Sequence, residues 1–131
     1  MSARRQKHVV LILAREFAAN LATPTLIGDE EGRLIFYNEA AAELVGRRFA
    51  ETGEVSLDEW TSSFSPRSPD SGPLPAEERP ARIALDQRRA AYQRYRATAG
   101  DGVERDIAVA AFPLFAQADQ FVGVVVMFWR D

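Results

Sequence analysis

The chain has 131 residues, 47% apolar and 27% charged, which is ordinary for one soluble globular domain and too short for two. It holds no cysteine and a single histidine, His8, which excludes disulfides, thiolate metal sites, iron–sulfur clusters, cysteine nucleophiles and any metal site built mainly on imidazole. The formal charge of −3 gives no support to a nucleic-acid or membrane binder held by bulk charge. Every basic residue except Lys7 is arginine, and alanine is abundant, a bias of the kind a high-GC bacterial genome produces.

Arg4, Arg5 and Lys7 precede an apolar run from Val9 to Ala14, which Arg15 and Glu16 interrupt. The run is too short for a secretory core and far short of the ~20 residues a membrane span needs, so the chain reads as cytoplasmic. Residues 3–22 read as a helix without Gly or Pro, ended by Thr23-Pro24 because the residue before proline avoids helical geometry. Val10, Leu13, Phe17 and Leu21 recur at helical spacing on one face. Val9, Leu11 and Ile12 widen the apolar surface beyond one stripe. The helix is therefore expected to meet its own domain and also the same helix of a second copy, with Val10, Leu13, Phe17 and Leu21 as the homodimer contacts. His8 reads as an exposed residue of this helix.

Thr25–Asp29 and Arg33–Tyr37 read as a hairpin turned by Glu30-Glu31-Gly32. Asn38 sits where an N-cap belongs, before a short helix Glu39–Val45 that Gly46 is placed to stop. Residues 47–75 read as irregular, with Phe49, Val55, Leu57, Trp60 and Phe64 as apolar anchors and prolines at 66, 69, 73 and 75. A second short helix is expected from Pro80 to about Gln87. Three strands close the chain: Ala90–Thr98, then Val103–Phe112 ended by Pro113, then Phe121–Trp129, with Gly100-Asp101-Gly102 turning the first pair. The last strand is apolar at nearly every position, so both its faces are expected to be covered. The order implies an α+β domain with a largely antiparallel five-stranded sheet, short helices on one face and the N-terminal helix on the other.

This order and its local residues resemble a PAS domain over about residues 22–131. The likeness rests on Gly28-Asp29-Glu30-Glu31-Gly32-Arg33-Leu34-Ile35-Phe36-Tyr37-Asn38-Glu39-Ala40-Ala41 as the first hairpin running into the first helix, and on Leu44-Val45-Gly46 as that helix's end. Gly72-Pro73-Leu74-Pro75-Ala76-Glu77-Glu78 followed by Ala84-Leu85 is similar to the entry into the long helix. Phe112-Pro113-Leu114, Gly123-Val124-Val125-Val126 and Phe128-Trp129-Arg130-Asp131 resemble the closing strands. The resemblance divides the chain into an N-terminal amphipathic helix, 1–22, and a PAS domain, 23–131. It implies a non-catalytic sensing and interaction module that binds a small molecule between sheet and helices, or dimerises, and acts on an output domain or partner.

The departures limit the cofactors. Without cysteine there is no cysteinyl-flavin adduct, and residues 76–87 hold no histidine to ligate haem. The chain ends where the family's terminal motif would begin, so a stand-alone module and a fragment of a longer protein both fit.

If a ligand pocket exists, its expected walls are Leu44, Leu57, Trp60 and Ile83 from the helical layer and Tyr95, Ile107, Val109, Val125 and Met127 from the strands. The alternative is a filled core, which makes the protein a constitutive dimerisation or adaptor module. A third reading, an isomerase-like enzyme of similar shape, requires a carboxylate or tyrosine inside the cavity, and Tyr95 is its one candidate. Arg94 and Arg96 read as a solvated strand face, and Glu30-Glu31 and Glu77-Glu78 as solvated turn and helix-start carboxylates.

Overall fold

The structure is a computed structural model that describes residues 3–46, 49–70, 72–98, 101–117 and 119–131, with the side chains of 3–8, 50 and 51 excepted. The side chain of His8 and residue Gly100 therefore lie outside the described part. Helix α1 runs Ala3–Ala19. It ends earlier than residues 3–22 suggest, because Asn20 N–H and Leu21 N–H donate to Phe17 O and Ala18 O in a tightened last turn. Among the described residues no helix is long and apolar enough to cross a membrane.

Strands β1 (Thr25–Asp29) and β2 (Leu34–Tyr37) form the expected hairpin. Asp29 Oδ1 organises its turn by accepting the N–H groups of Glu31 (2.9 Å) and Arg33 (3.0 Å). Helix α2 (Glu39–Val45) is capped by Asn38 and stopped by Gly46, whose φ of 74° is the left-handed conformation glycine adopts without strain.

The stretch 47–75 holds more order than its composition suggests. It contains α3 (Phe49–Thr52) and α4 (Leu57–Ser62). Ser56 caps α4 by accepting the Glu59 N–H at 3.0 Å, so Ser56-Leu57-Asp58-Glu59 is a helix-start signal within an otherwise loop-like composition. Further on, Arg67 exchanges backbone hydrogen bonds with Arg96 (2.8 and 2.9 Å), so this loop partly covers the sheet edge.

Helix α5 (Pro80–Gln87) carries proline at its first turn as expected. Strands β3 (Ala91–Thr98), β4 (Glu104–Phe115) and β5 (Phe121–Arg130) complete an antiparallel sheet in the order β2-β1-β5-β4-β3. Pro113 does not end β4, contrary to expectation. It pairs with Val124 beyond the point where β3 has stopped, opposite Ala111, and a residue without an N–H is tolerated where a strand has one neighbour.

The middle of the sheet is covered on both sides. On one side Leu26, Tyr37, Ala41, Leu57, Ala84 and Val126 belong to the main core beneath α2, α4 and α5. On the other side Leu11, Ala14 and Ala18 of α1 pack on Ile27, Val125 and Met127. The two faces of β5 thus meet two different layers, which is why that strand is apolar throughout.

Asn38 ties these layers together. Its Oδ1 accepts the N–H groups of Thr25 (3.1 Å) and Ala41 (3.0 Å), and its Nδ2 donates to Ala18 O and Thr23 O, both at 2.9 Å. One buried amide therefore joins the end of α1, the start of β1 and the start of α2.

Candidate functional site

Between the sheet and the helical layer lies a cavity of about 80 Å³ that opens to solvent. Its walls are almost wholly apolar: Leu26, Leu44, Val45, Phe64, Val109 and Val126 contribute. The void exists because small residues stand on the inner strand faces, with Ala97 on β3 and valines at Val109 and Val126.

Aromatic side chains close one wall. Trp60 on α4 meets Phe64 (4.7 Å between ring centroids), Tyr37 (5.8 Å) and Phe128 (6.2 Å). Among the described residues no acceptor meets the Trp60 indole N–H. Tyr95, 5% exposed, reaches the cavity from β3, and among the described residues its hydroxyl has no hydrogen-bond partner either. Burial pushes the Tyr95 hydroxyl up to about 12, against a weaker opposing pull from the Arg79 guanidinium.

Arg79 is itself buried and bonds neutral acceptors, Leu74 O through Nη2 (3.2 Å) and Ser62 Oγ through Nη1 (3.0 Å). Arg79 does not line the cavity, but two other arginines do. Arg105 alternates on β4 with Ile107 and Val109, and Arg130 alternates on β5 with Phe128 and Val126. Arg105 is paired with Asp101 (2.7 and 3.1 Å), and this pairing holds the Asp101 carboxyl well below the usual carboxylate range. Among the described residues no carboxylate lines the cavity. Among the described residues no group of three or more His, Cys, Asp or Glu is placed to hold a metal ion.

No family model matches the chain, and none of the curated proteins does. Solved structures do match. The PAS domain of BvgS from Bordetella pertussis superposes with a TM-score of 0.65 at 15% identity, covering 92% of this chain and 84% of that one. The PAS domain of the nitrogen regulation protein NR(II) from Vibrio parahaemolyticus gives 0.62 at 18% identity, covering 91% and 98%. The chain has the PAS fold. A phage VqmA–DPO complex is also similar, with a TM-score of 0.67 at 15% identity, covering 95% of this chain and 54% of that one.

Within this PAS fold, five of the residues expected at the pocket line the cavity together: Leu44, Trp60, Tyr95, Ile107 and Val109. Four do not. Val125 and Met127 point to the opposite face and pack beneath α1, because strand alternation gives the cavity Val126 and Phe128 instead. Leu57 is buried in the main core away from the cavity, under the first hairpin. Ile83 belongs to neither core cluster, since α5 turns Ala81 and Ala84 toward the sheet. Arg105 and Arg130 were missed, and the alternation that selects Ile107 and Val109 would have found them.

The expected dimer residues divide in a similar way. Leu13 (62% exposed) and Phe17 (69% exposed) face outward, with Ile12 beside them, whereas Val10 and Leu21 are half-buried. The inward face of α1 is Leu11, Ala14 and Ala18. Arg94 and Arg96 lie on the outer strand face as expected, paired with Asp131 (2.7 Å) and Asp106 (3.1 Å).

Proposed function

We propose that this chain is a non-catalytic sensing module whose cavity takes a small molecule and whose α1 mediates contact with a second copy. The observation that carries the reading is the apolar cavity between sheet and helices, lined by Trp60 and Tyr95. The structural relatives support a regulatory role, since they include a nitrogen regulation protein and a VqmA–DPO complex.

Occupancy can reach the surface through β5. Its inner residues Val126 and Phe128 border the cavity, and its outer residues Val125 and Met127 bear α1. A ligand shifts the contacts of α1 only insofar as it binds one arrangement of β5 better than another. The output partner is a separate protein or a further domain.

The outward apolar face of α1 supports a second reading, a constitutive dimerisation module, because Leu13 and Phe17 are exposed whether or not the cavity is filled. Two measurements separate these. Sedimentation of Leu13→Asp should show a folded monomer where the wild type is a dimer; an unchanged mass removes α1 from the interface. A thermal-shift panel of metabolites should raise the midpoint of the wild type but not of Val109→Trp, which fills the cavity. No shift across the panel favours the constitutive module.

A further inference from the structure

Every polar side chain described around the cavity can donate a hydrogen bond. The Trp60 indole N–H, the Tyr95 and Thr61 hydroxyls and the Arg105 and Arg130 guanidinium groups can all donate, and no carboxylate stands among the described lining residues. This is a local inversion in a chain whose overall charge is −3.

The two arginines at the mouth differ from each other. Arg33, Arg67, Arg82, Arg94, Arg96 and Arg105 each pair with an Asp or Glu. Arg130 makes no ion pair among the described residues. The sheet register fixes its position. Tyr95, Ile107 and Arg130 stand side by side across β3, β4 and β5, with Arg105 as the diagonal neighbour of Arg130 on the same face. An apolar floor of Val109 and Val126 thus runs outward to an exposed guanidinium that has no ion pair among the described residues.

Resting on the reading of this cavity as a ligand site, we propose that its ligand is an amphiphilic carboxylate. The apolar chain or ring lies against Val109, Val126 and Trp60, and the carboxylate rests on Arg130. A planar guanidinium suits a carboxylate bidentately, and Arg105, itself held by Asp101, stands beside it. Buried Arg79, bonded to neutral acceptors, adds positive potential behind Tyr95. A cationic ligand would find no counter-charge in this lining.

The test compares octanoate with octan-1-ol by isothermal titration calorimetry on the full chain, using wild type, Arg130→Gln and Arg105→Gln. Arg130 is exposed at the end of the last strand, so its replacement leaves the core intact. Octanoate should bind wild type about five- to tenfold more tightly than the alcohol. Arg130→Gln should abolish that preference and leave the alcohol's affinity unchanged. A preference that survives Arg130→Gln but is lost in Arg105→Gln overturns the placement of the carboxylate. Equal binding of acid and alcohol by wild type overturns the anion selectivity while the ligand site stands. Binding of neither probe overturns the ligand-site reading and this proposal together.

Discussion

Replacing Asn38 with alanine removes four hydrogen bonds of 2.9–3.1 Å and a longer fifth to Leu21 O, and is the sharpest test of how α1 is held. The substitution takes away the α2 cap to Ala41, which costs about 1 kcal/mol. It also leaves the Thr25 N–H and the carbonyls of Ala18 and Thr23 without their partners. A buried group stripped of its partner costs about 1–3 kcal/mol, less where water can re-enter, as it can beside the half-buried Thr23. The combined loss is about 3–5 kcal/mol, a large share of the roughly 5–15 kcal/mol that holds a domain of this size. With a urea slope near 2 kcal/mol per molar, the midpoint of unfolding should fall by about 2 M. Asn38→Asp should also destabilise, since it keeps the two accepting bonds but sets a carboxylate against two carbonyls. Amide exchange along α1 should accelerate in both variants. A loss below about 1 kcal/mol for Asn38→Ala would refute the idea that this amide joins α1 to the sheet.

Three further outcomes follow from the same structure. Ala97→Leu places methyl groups in the cavity, so it should leave the denaturation midpoint unchanged or raise it, whereas a drop of about 1–3 kcal/mol would mean the space is already filled. Gly123→Ala should destabilise by about 3 kcal/mol in urea unfolding, because a Cβ there runs into the carbonyl of Gly28 and neither backbone can yield; a neutral effect would contradict the close approach of β1 and β5. Tyr95 ionises near 10 when unfolded and near 12 when folded, so the unfolded chain loses that proton first and stability should fall as pH rises from about 10 to 12. The fall is about 2–3 kcal/mol, and Tyr95→Phe should abolish it in alkaline denaturation; an unaltered profile would place the hydroxyl in water.

The hairpin, the Asn38 cap, the Gly46 stop and α5 were legible because each is announced by local chemistry. The faces of β5 were not. Val124 to Phe128 are all apolar, so period-two alternation carries no contrast that separates the α1 side from the cavity side. The inward face of α1 was hidden by the same excess, since Leu11, Ala14 and Ala18 compete with a more hydrophobic stripe through Leu13 and Phe17. Small residues won because they let the helix lie close to the sheet. Trp60 was picked out inside a segment that looked irregular, although its helix was not. The second role of Asn38 was out of reach, because its partners Ala18 and Thr23 lie 20 and 15 residues away in the chain. Arg105 and Arg130 were within reach, since each extends an apolar alternation by one step.

The claim at the centre of this account is that the space beneath Trp60 and Tyr95 holds a small molecule. Native mass spectrometry tests it most directly, with the purified protein recorded as isolated and after incubation with octanoate, beside a denaturing spectrum and beside Val109→Trp. A non-covalent added mass is expected on the wild type, disappearing on denaturation and absent from Val109→Trp. A bare wild-type protein under both conditions, or an added mass that persists in Val109→Trp, would contradict it.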